Sequence, residues 1–272
     1  MIKTLKKAKK VKSDAPARAA GFEAPPREEP ANRVAAWFVH LYTACGLIFA
    51  AWIAVLLVQG RPSAFRWSFL LMVAASLVDA TDGTLARKFR VKSVLPGFDG
   101  RKLDDLTDFL TYTCLPLLLV WRAELYPAGY EAWLLLPLLA SAYGFCQVDA
   151  KTEDGYFLGF PSLWNVVALY LYVLQLPPWW TIGIVSVLAL MTFVPTRYLY
   201  PSLPGRLNKF SNLLGAPWIL LLVVILWQLP ANAPLTPGST TWWLGVASLY
   251  FPAFYMIASW VVSFRLRQVR NA

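Results

Sequence analysis

The sequence predicts an all-α, polytopic integral membrane protein, a helical bundle of about eight transmembrane helices. Hydrophobic residues make up 58% of the 272 residues and charged residues only 15%, whereas about a quarter of a soluble domain is charged. The mean hydropathy is +0.50. Apolar runs close to the roughly 20 residues that cross a bilayer core recur along most of the chain.

The chain is predicted to begin with a tail and continue as one domain. Residues 1–33 are polar and rich in lysine, so we expect a disordered basic cytoplasmic tail, and no short apolar region with a cleavage site follows it. Residues 34–272 are expected to form one membrane-embedded domain, because the links between apolar runs are short. The eight candidate spans lie near residues 34–58, 65–86, 103–122, 132–150, 161–176, 179–197, 212–229 and 241–263.

The distribution of Lys and Arg predicts the orientation of these spans. With the N-terminus in the cytoplasm and alternating spans, the cytoplasmic segments carry 22 of the 25 basic residues, and the opposite side carries only Arg61, Arg66 and Arg122. Both termini are therefore expected on the cytoplasmic side. A net charge of +10 could indicate nucleic acid, but these charges flank apolar runs, where anionic lipid headgroups attract them. We therefore expect no nucleic-acid partner.

Carboxylates are concentrated where the second and third predicted helices meet. Six of the 15 acidic residues lie between Asp79 and Asp108. Asp79 and Asp82 fall near the cytoplasmic end of the second helix, and Asp104 and Asp108 near the start of the third, at helical spacing. The two helices must be antiparallel neighbours, so four carboxylates are predicted to converge, and hard divalent cations are the natural partners of such oxygens.

The residues around these aspartates suggest a phosphate ligand. Gly83 and Ala86 share the face of Asp79 and lack bulk, so a ligand could approach the helix there. Arg87 offers a planar fork for phosphate. Gly100 continues the four-residue spacing of the second pair of aspartates, provided that the third helix begins early enough.

A structural explanation of the acidic residues also exists. Aspartate at a helix start is often a cap, which could explain Asp104 or Asp105 alone. It does not explain Asp79 and Asp82 at the opposite end of a helix, where the dipole disfavours anions. Asp99 and Asp105 lie off the predicted stripe and are expected to be solvated. The single histidine, His40, is expected to be a packed, hydrogen-bonded side chain of the first span.

The stretch from Asp79 to Asp108 resembles the signature of the CDP-alcohol phosphotransferase family, D-x2-D-G-x2-A-R-xn-G-x3-D-x3-D. All eight fixed positions are present, namely Asp79, Asp82, Gly83, Ala86, Arg87, Gly100, Asp104 and Asp108. Twelve residues separate Arg87 from Gly100, a longer gap than is usual in the family. This gap and the eight predicted spans resemble the bacterial phosphatidylcholine synthase branch.

The resemblance implies an activity and a role for each motif residue. It implies transfer of a phosphatidyl group from CDP-diacylglycerol to an alcohol, choline in this branch, with release of CMP, in the cell inner membrane and in a possible homodimer. Two divalent ions, Mn2+ or Mg2+, would be held by Asp79, Asp82, Asp104 and Asp108. Asp108 would also act as the general base, and the CDP pocket would contain Gly83, Ala86, Arg87 and Gly100.

The segment from residue 151 to residue 165 is the candidate choline site. It combines two acidic residues with several aromatic ones, the candidates being Glu153, Asp154, Tyr156 and Trp164. Choline carries a quaternary ammonium that donates no hydrogen bond, and proteins hold such groups with aromatic faces, often beside an anion. An interfacial aromatic belt around a turn at Gly155 and Pro161 explains the same composition equally well.

Three competing functions have different sequence requirements. The same chemistry with glycerol phosphate, serine or inositol phosphate is the nearest, but a phosphorylated acceptor would need cationic residues that the predicted spans hold sparingly. A carboxylate-lined transporter would be expected to show internal repeats and polar groups near the midplane, whereas these carboxylates cluster at one face. A non-catalytic membrane scaffold leaves the clustered aspartates unexplained.

Overall fold

The computed structural model describes residues 30–61, 63–148, 150, 152, 155–200, 205–230 and 235–271. Most of the tail predicted for residues 1–33 therefore lies outside the described residues. The same is true of Glu153 and Asp154, two of the four candidate choline residues.

The described part of the chain is mostly helical and contains one small sheet. The helices are α1 (Pro30–Gln59), α2 (Ala64–Lys88), α3 (Val91–Val94), α4 (Gly100–Asp108), α5 (Leu115–Arg122), α6 (Leu135–Cys146), α7 (Trp164–Leu174), α8 (Pro178–Met191), α9 (Arg206–Gln228), α10 (Thr240–Ser248) and α11 (Tyr250–Asn271). A π-helical stretch, Phe109–Cys114, joins α4 to α5, and a 3-10 turn, Glu131–Leu134, leads into α6. The strands are β1 (Tyr156–Leu158) and β2 (Arg197–Leu199).

Each predicted span contains at least one helix. Among the described residues, four helical segments are long and apolar enough to cross a membrane, namely Asn32–Gln59, Ala64–Lys88, Arg206–Gln228 and Thr240–Gln268. Three shorter apolar helices are Glu131–Cys146, Trp164–Leu174 and Pro178–Met191. A helical membrane protein is thus confirmed, while the number of eight spans stays a prediction.

The distribution of apolar side chains separates lipid-facing helices from a central one. α1 exposes large apolar residues such as Phe38, Ile48 and Trp52, which a bilayer would cover. α7 instead buries every residue from Ala168 to Val173, as expected of a helix surrounded by other helices. This central position is consistent with the shortness of the fifth predicted span, since an enclosed helix does not itself have to match the bilayer thickness.

The small sheet departs from the all-α prediction. β1 and β2 pair antiparallel, with Tyr156 opposite Leu199. The sixth predicted span, 179–197, is therefore wrong at its end, because helix α8 stops at Met191 and Arg197 begins β2. Three-residue strands are too short to give a readable alternation in the sequence.

Helix α11 supports β2 through side-chain hydroxyl groups. The backbone N–H of Arg197 donates to Ser263 Oγ at 2.6 Å, and that of Leu199 donates to Ser259 Oγ at 3.1 Å. The Tyr255 hydroxyl donates to the Leu199 carbonyl at 2.9 Å. These bonds satisfy backbone groups that β1 leaves open, so the strand can lie against an apolar helix.

The link between α2 and α4 is fixed against α1. Its apolar side chains join two α1 residues in a small buried cluster, consisting of Ala36, Val39, Val91, Val94 and Leu95. Further along α1, Gly46 lies so close to Thr107 of α4 that a β-carbon at this glycine would collide with the threonine side chain. The two contacts hold α1, α2 and α4 together at the end where the aspartates lie.

Candidate active site

Helices α2 and α4 supply the aspartates from opposite directions. Asp79 and Asp82 lie in the second half of α2, and Asp104 and Asp108 lie on α4. Helix α4 begins at Gly100, early enough to place its two aspartates one turn apart on one face. Its N-cap is Asp99, whose side chain accepts the Lys102 N–H at 3.3 Å. The capping explanation for Asp104 and Asp105 is therefore wrong.

Three of the four predicted aspartates come together. Each of Asp79, Asp104 and Asp108 offers one carboxylate oxygen, and these atoms all lie within 4.8 Å of one another. We call these three residues the aspartate cluster. All three are partly buried, so repulsion between their charges is screened less than at an open surface. Three converging carboxylate oxygens are a donor set that suits a hard divalent cation.

Asp82 does not belong to this group of three. It is only 7% exposed, and its Oδ2 accepts a hydrogen bond of 2.8 Å from the Thr43 hydroxyl of α1. Three residues along a helix correspond to a rotation of about 300°, so Asp82 leaves α2 on the side of α1 rather than directly beside Asp79. The predicted convergence of four carboxylates is thus observed for three, with the fourth held at the α1 boundary.

A tyrosine that sequence reasoning missed contacts the aspartate cluster. The Tyr112 hydroxyl donates to Asp79 Oδ2 at 2.8 Å. Ser76 lies near this hydroxyl, and the Asn165 side-chain amide of α7 donates to Ser76 Oγ at 3.2 Å. The only available signal was the spacing, since Tyr112 follows Asp108 by four residues and so continues the stripe of Asp104 and Asp108.

The small residues of α2 differ in what surrounds them. A β-carbon at Gly83 would meet only Arg87 Nη1, at an ordinary contact distance of 3.5 Å. Packing within the described residues therefore does not require glycine there. Ala86 instead packs against the small cluster that holds the α2–α4 link. Arg87 is exposed, with its Nη2 donating to Thr84 Oγ1 at 3.1 Å, so its guanidinium is accessible to a phosphate.

Gly100 lies against the buried histidine of α1. A β-carbon at Gly100 would stand 2.6 Å from His40 Cε1, so packing alone demands glycine at this position. The His40 ring also packs on Phe98, with centroids 4.4 Å apart. His40 is a packed side chain, as expected. Its buried Nε2, however, has no hydrogen-bond partner among the described residues.

The two described choline candidates have different environments. Tyr156 is half-buried on β1, and its backbone N–H donates to Thr152 Oγ1 at 3.0 Å. Trp164 is only 1% exposed and belongs to the large cluster of buried hydrophobic residues between the helices. Its indole N–H donates to Ser141 Oγ at 2.7 Å, and its ring packs edge-on against Phe160. These contacts give Trp164 a packing role, and a choline role for either residue stays a prediction.

Comparison with known proteins identifies relatives that share most of the chain. Residues 36–194 match the family model described as CDP-alcohol phosphatidyltransferase, and this range contains every described residue of the site. The chain is 39% identical over 223 residues to a Pseudomonas aeruginosa protein named phosphatidylcholine synthase, covering 82% of this chain and 91% of that protein.

Two further relatives carry the same name. A phosphatidylcholine synthase of Borreliella burgdorferi is 32% identical over 237 residues, which cover 87% of this chain and 97% of that protein. One from Bradyrhizobium diazoefficiens is 34% identical over 216 residues, covering 79% of this chain and 78% of that protein. The likeness therefore extends well beyond the aspartate motif into the helices that surround it.

Proposed function

Because the chain belongs to the CDP-alcohol phosphatidyltransferase family, we propose that it is a CDP-diacylglycerol–choline O-phosphatidyltransferase. This enzyme joins the phosphatidyl group of CDP-diacylglycerol to choline and releases CMP. The observation that carries the proposal is the aspartate cluster, in which Asp79, Asp104 and Asp108 bring carboxylate oxygens within 4.8 Å of one another. Relatives named phosphatidylcholine synthase, aligned over about four fifths of the chain, support choline as the acceptor.

The carboxylates of the site suit divalent cations. Asp79, Asp104 and Asp108 present hard oxygen donors, and Asp82 lies one turn along α2 at the boundary with α1. We assign these four residues to two ions, Mg2+ or Mn2+, in line with the preference of such ions for carboxylate oxygens. Divalent ions bound there would stabilise the negative charge that develops on the pyrophosphate during transfer.

The protein's own groups account for the proton and for the placement of the substrate. Asp108 accepts the proton of the choline hydroxyl, because an alcohol is a poor nucleophile until a base removes its proton. The choline oxygen then bonds to the phosphorus of the phosphatidyl group, and the bond from this phosphorus to the CMP oxygen breaks. Gly83 leaves room for the nucleotide beside α2, and the exposed Arg87 guanidinium binds its phosphates.

The choline site is proposed around β1. Tyr156 offers a half-buried aromatic ring there, and Glu153 and Asp154 precede it in the sequence. An aromatic face next to anionic groups attracts a quaternary ammonium without a hydrogen bond. Trp164 is retained as a support for this segment, since its buried ring anchors the start of α7 to Ser141.

The proposal includes an orientation in the membrane. We propose eight crossings of the cell inner membrane, with both termini and the aspartate cluster on the cytoplasmic side. The 22 basic residues assigned to cytoplasmic segments support this arrangement. A reporter fused to each terminus tests it, and a periplasmic C-terminus would contradict eight crossings. Assembly as a homodimer is proposed from the family resemblance and is tested by cross-linking in native membranes.

Product analysis tests the function directly. The full chain is purified in detergent, mixed with CDP-diacylglycerol and Mn2+, and supplied in turn with labelled choline, serine, glycerol phosphate and inositol phosphate. We expect phosphatidylcholine and CMP in equal amounts from choline alone, and no turnover after chelation until Mn2+ or Mg2+ is restored. Labelled lipid formed from another alcohol would mean that choline is not the acceptor. If no alcohol in the panel yields labelled lipid, the phosphotransferase assignment is refuted.

A further inference from the structure

A hydrogen bond from outside the aspartate motif ends on the aspartate cluster. The Tyr112 hydroxyl lies in the π-helical stretch that begins directly after Asp108, and it donates to Asp79 Oδ2 across the gap between two helices. π-Helical turns are rare and occur frequently at functional sites. The Tyr112 side chain therefore reaches from the segment that follows Asp108 to the helix that carries Asp79.

We propose that Tyr112 is a positioning residue, whose hydroxyl orients the Asp79 carboxylate so that its remaining oxygen lone pairs face a divalent cation. The inference deepens the proposed function and rests on the metal site named there. An ionised carboxylate has about four acceptor positions on two oxygens. A donor on one side of Oδ2 restricts rotation of the group. Groups that hydrogen-bond to metal ligands in this way typically contribute about 10–100-fold to metal affinity or activity.

The group that accepts its hydrogen bond distinguishes Tyr112 from other tyrosines of the protein. A buried tyrosine hydroxyl generally finds some partner, and such a bond alone shows only that the side chain is satisfied. Tyr170, Tyr250 and Tyr255 donate to backbone carbonyl oxygens of Ser248, Leu214 and Leu199. Tyr112 donates to a carboxylate of the aspartate cluster, where a charge-assisted bond is stronger and sets the direction of a functional group.

Further polar groups lie beside the Tyr112 hydroxyl. Ser76, one turn before Asp79 on α2, is close to this hydroxyl. Its own Oγ donates to the Met72 carbonyl at 3.0 Å and accepts the Asn165 amide at 3.2 Å. The polar groups thus run from α7 through α2 to Asp79. Because Asn165 is the last residue of the candidate choline segment, this connection links that segment to the aspartate cluster.

Metal binding by the full chain tests the inference. Tyr112→Phe keeps the ring and removes only the hydroxyl. Purified wild-type and variant proteins without substrate are titrated with Mn2+, and free Mn2+ is measured by its paramagnetic resonance signal. We expect the apparent Kd for Mn2+ to rise by about 10–100-fold. The Mn2+ concentration for half-maximal turnover should rise equally, with turnover recovering at saturating Mn2+.

Two further variants separate positioning from folding. Tyr255→Phe removes a buried hydroxyl that donates to a backbone carbonyl, and it should leave the Kd for Mn2+ unchanged. Ser76→Ala keeps Tyr112 but removes its neighbour, and it should raise the Kd in the same direction by a smaller factor. Wild-type Mn2+ affinity in Tyr112→Phe, or an equal loss of affinity in Tyr255→Phe, would overturn the inference.

The outcomes also separate the inference from the proposed function. If Tyr112→Phe weakens Mn2+ binding but the wild type forms no phosphatidylcholine, the function is wrong and the positioning role stands. If the wild type forms phosphatidylcholine with Mn2+ and Tyr112→Phe binds Mn2+ normally, the positioning role alone is wrong. Phosphatidylcholine synthesis by a wild type that binds no Mn2+ or Mg2+ would overturn the metal site and the inference together.

Discussion

The Thr43 hydroxyl donates a hydrogen bond of 2.8 Å to Asp82 Oδ2, and both side chains are buried. This bond joins α1 to α2 at the helix turn that carries the aspartate motif. It also explains why Asp82 lies apart from the aspartate cluster, since one of its oxygens is held toward α1. A hydrogen bond to a charged group contributes about 1.5–3 kcal/mol, so the pair should matter both for stability and for the shape of the site.

Replacement of Thr43 tests this contribution. Thr43→Val keeps the shape of the side chain but removes the hydroxyl, so we expect a loss of about 1.5–3 kcal/mol of stability and lower turnover. Thr43→Ser keeps the hydroxyl and should retain most of both. Thermal unfolding in detergent and the rate of CMP release measure the two effects. A Thr43→Val protein as stable and active as Thr43→Ser would show that the bond is unimportant.

Gly83 offers a test in which stability and activity should move in opposite directions. Gly83→Ala introduces a methyl group that meets only Arg87 Nη1 at 3.5 Å, and alanine in place of glycine stabilises a helix interior by about 0.5–1 kcal/mol. If the space belongs to the nucleotide, the methyl group should weaken CDP-diacylglycerol binding by about 1–3 kcal/mol, or roughly 5–150-fold in KM.

A glycine of α8 provides the control for Gly83. A β-carbon at Gly183 would meet no atom within 4 Å, so Gly183→Ala should change stability similarly and leave KM unchanged. Unfolding temperatures and KM values for CDP-diacylglycerol decide the comparison. Wild-type KM in Gly83→Ala would mean that no ligand approaches α2 at this glycine.

Gly100 should respond differently, because protein packing already requires it. A methyl group there would press on the His40 ring at 2.6 Å, and overpacking of this kind costs about 1–3 kcal/mol. We expect Gly100→Ala to unfold at a lower temperature, and to cost much less when His40→Ala is already present. A double-mutant cycle on unfolding free energies measures this coupling. If the destabilising effects of the two substitutions simply add, contact with His40 is not the reason for glycine at position 100. Contact with the bound nucleotide would then be the next explanation to test.

The helix spacing explains which parts of the site could be predicted from the sequence. Asp79, Asp104 and Asp108 were predicted to meet because residues three and four apart share a helix face and the short link makes α2 and α4 neighbours. The same helical spacing predicts Asp82 beside them, but a rotation of about 60° backward per three residues is enough to direct its side chain to Thr43 of α1.

The remaining parts depend on contacts between residues far apart in the sequence. Thr43 and Asn165 are polar residues in apolar surroundings, and nothing in their local spacing names Asp82 or Ser76 as partners. The strand β2 was missed for a related reason. It is held by Ser259 and Ser263, about 60 residues later on α11, so the hydrogen bonds that stabilise it have no local signature.

Asp108 is the residue on which the chemical step should depend most. Asp108→Asn keeps the shape of the side chain but removes its basicity, so we expect turnover to fall by at least about a hundredfold, the scale of general base catalysis. CDP-diacylglycerol binding should change less than turnover. Asp105→Asn, on the same helix but outside the aspartate cluster, is the matched control. A nearly normal turnover number for Asp108→Asn would remove this residue from the mechanism.

The choline site is tested best at Tyr156. An aromatic face contributes about 0.5–2 kcal/mol to binding a quaternary ammonium, or roughly 2–30-fold in affinity. Tyr156→Ala should therefore raise the choline KM by that factor, while kcat and the KM for CDP-diacylglycerol stay nearly unchanged, the pattern of lost ground-state binding. Tyr156→Phe keeps the aromatic face and should behave like the wild type. Glu153→Gln and Asp154→Asn should act in the same direction, more weakly at high salt.

Trp164 cannot serve as an equivalent test, although it belongs to the same segment. Its side chain is 1% exposed and bonded to Ser141, so Trp164→Ala should cost about 3–5 kcal/mol of stability by leaving a cavity. Any change in choline kinetics would then be mixed with partial unfolding. The decisive comparison is between Tyr156→Ala and Tyr156→Phe, once thermal unfolding has shown that the two variants are equally stable. An equal choline KM in these two variants and the wild type would place the ammonium away from β1, while product formation from choline would still support the phosphotransferase assignment.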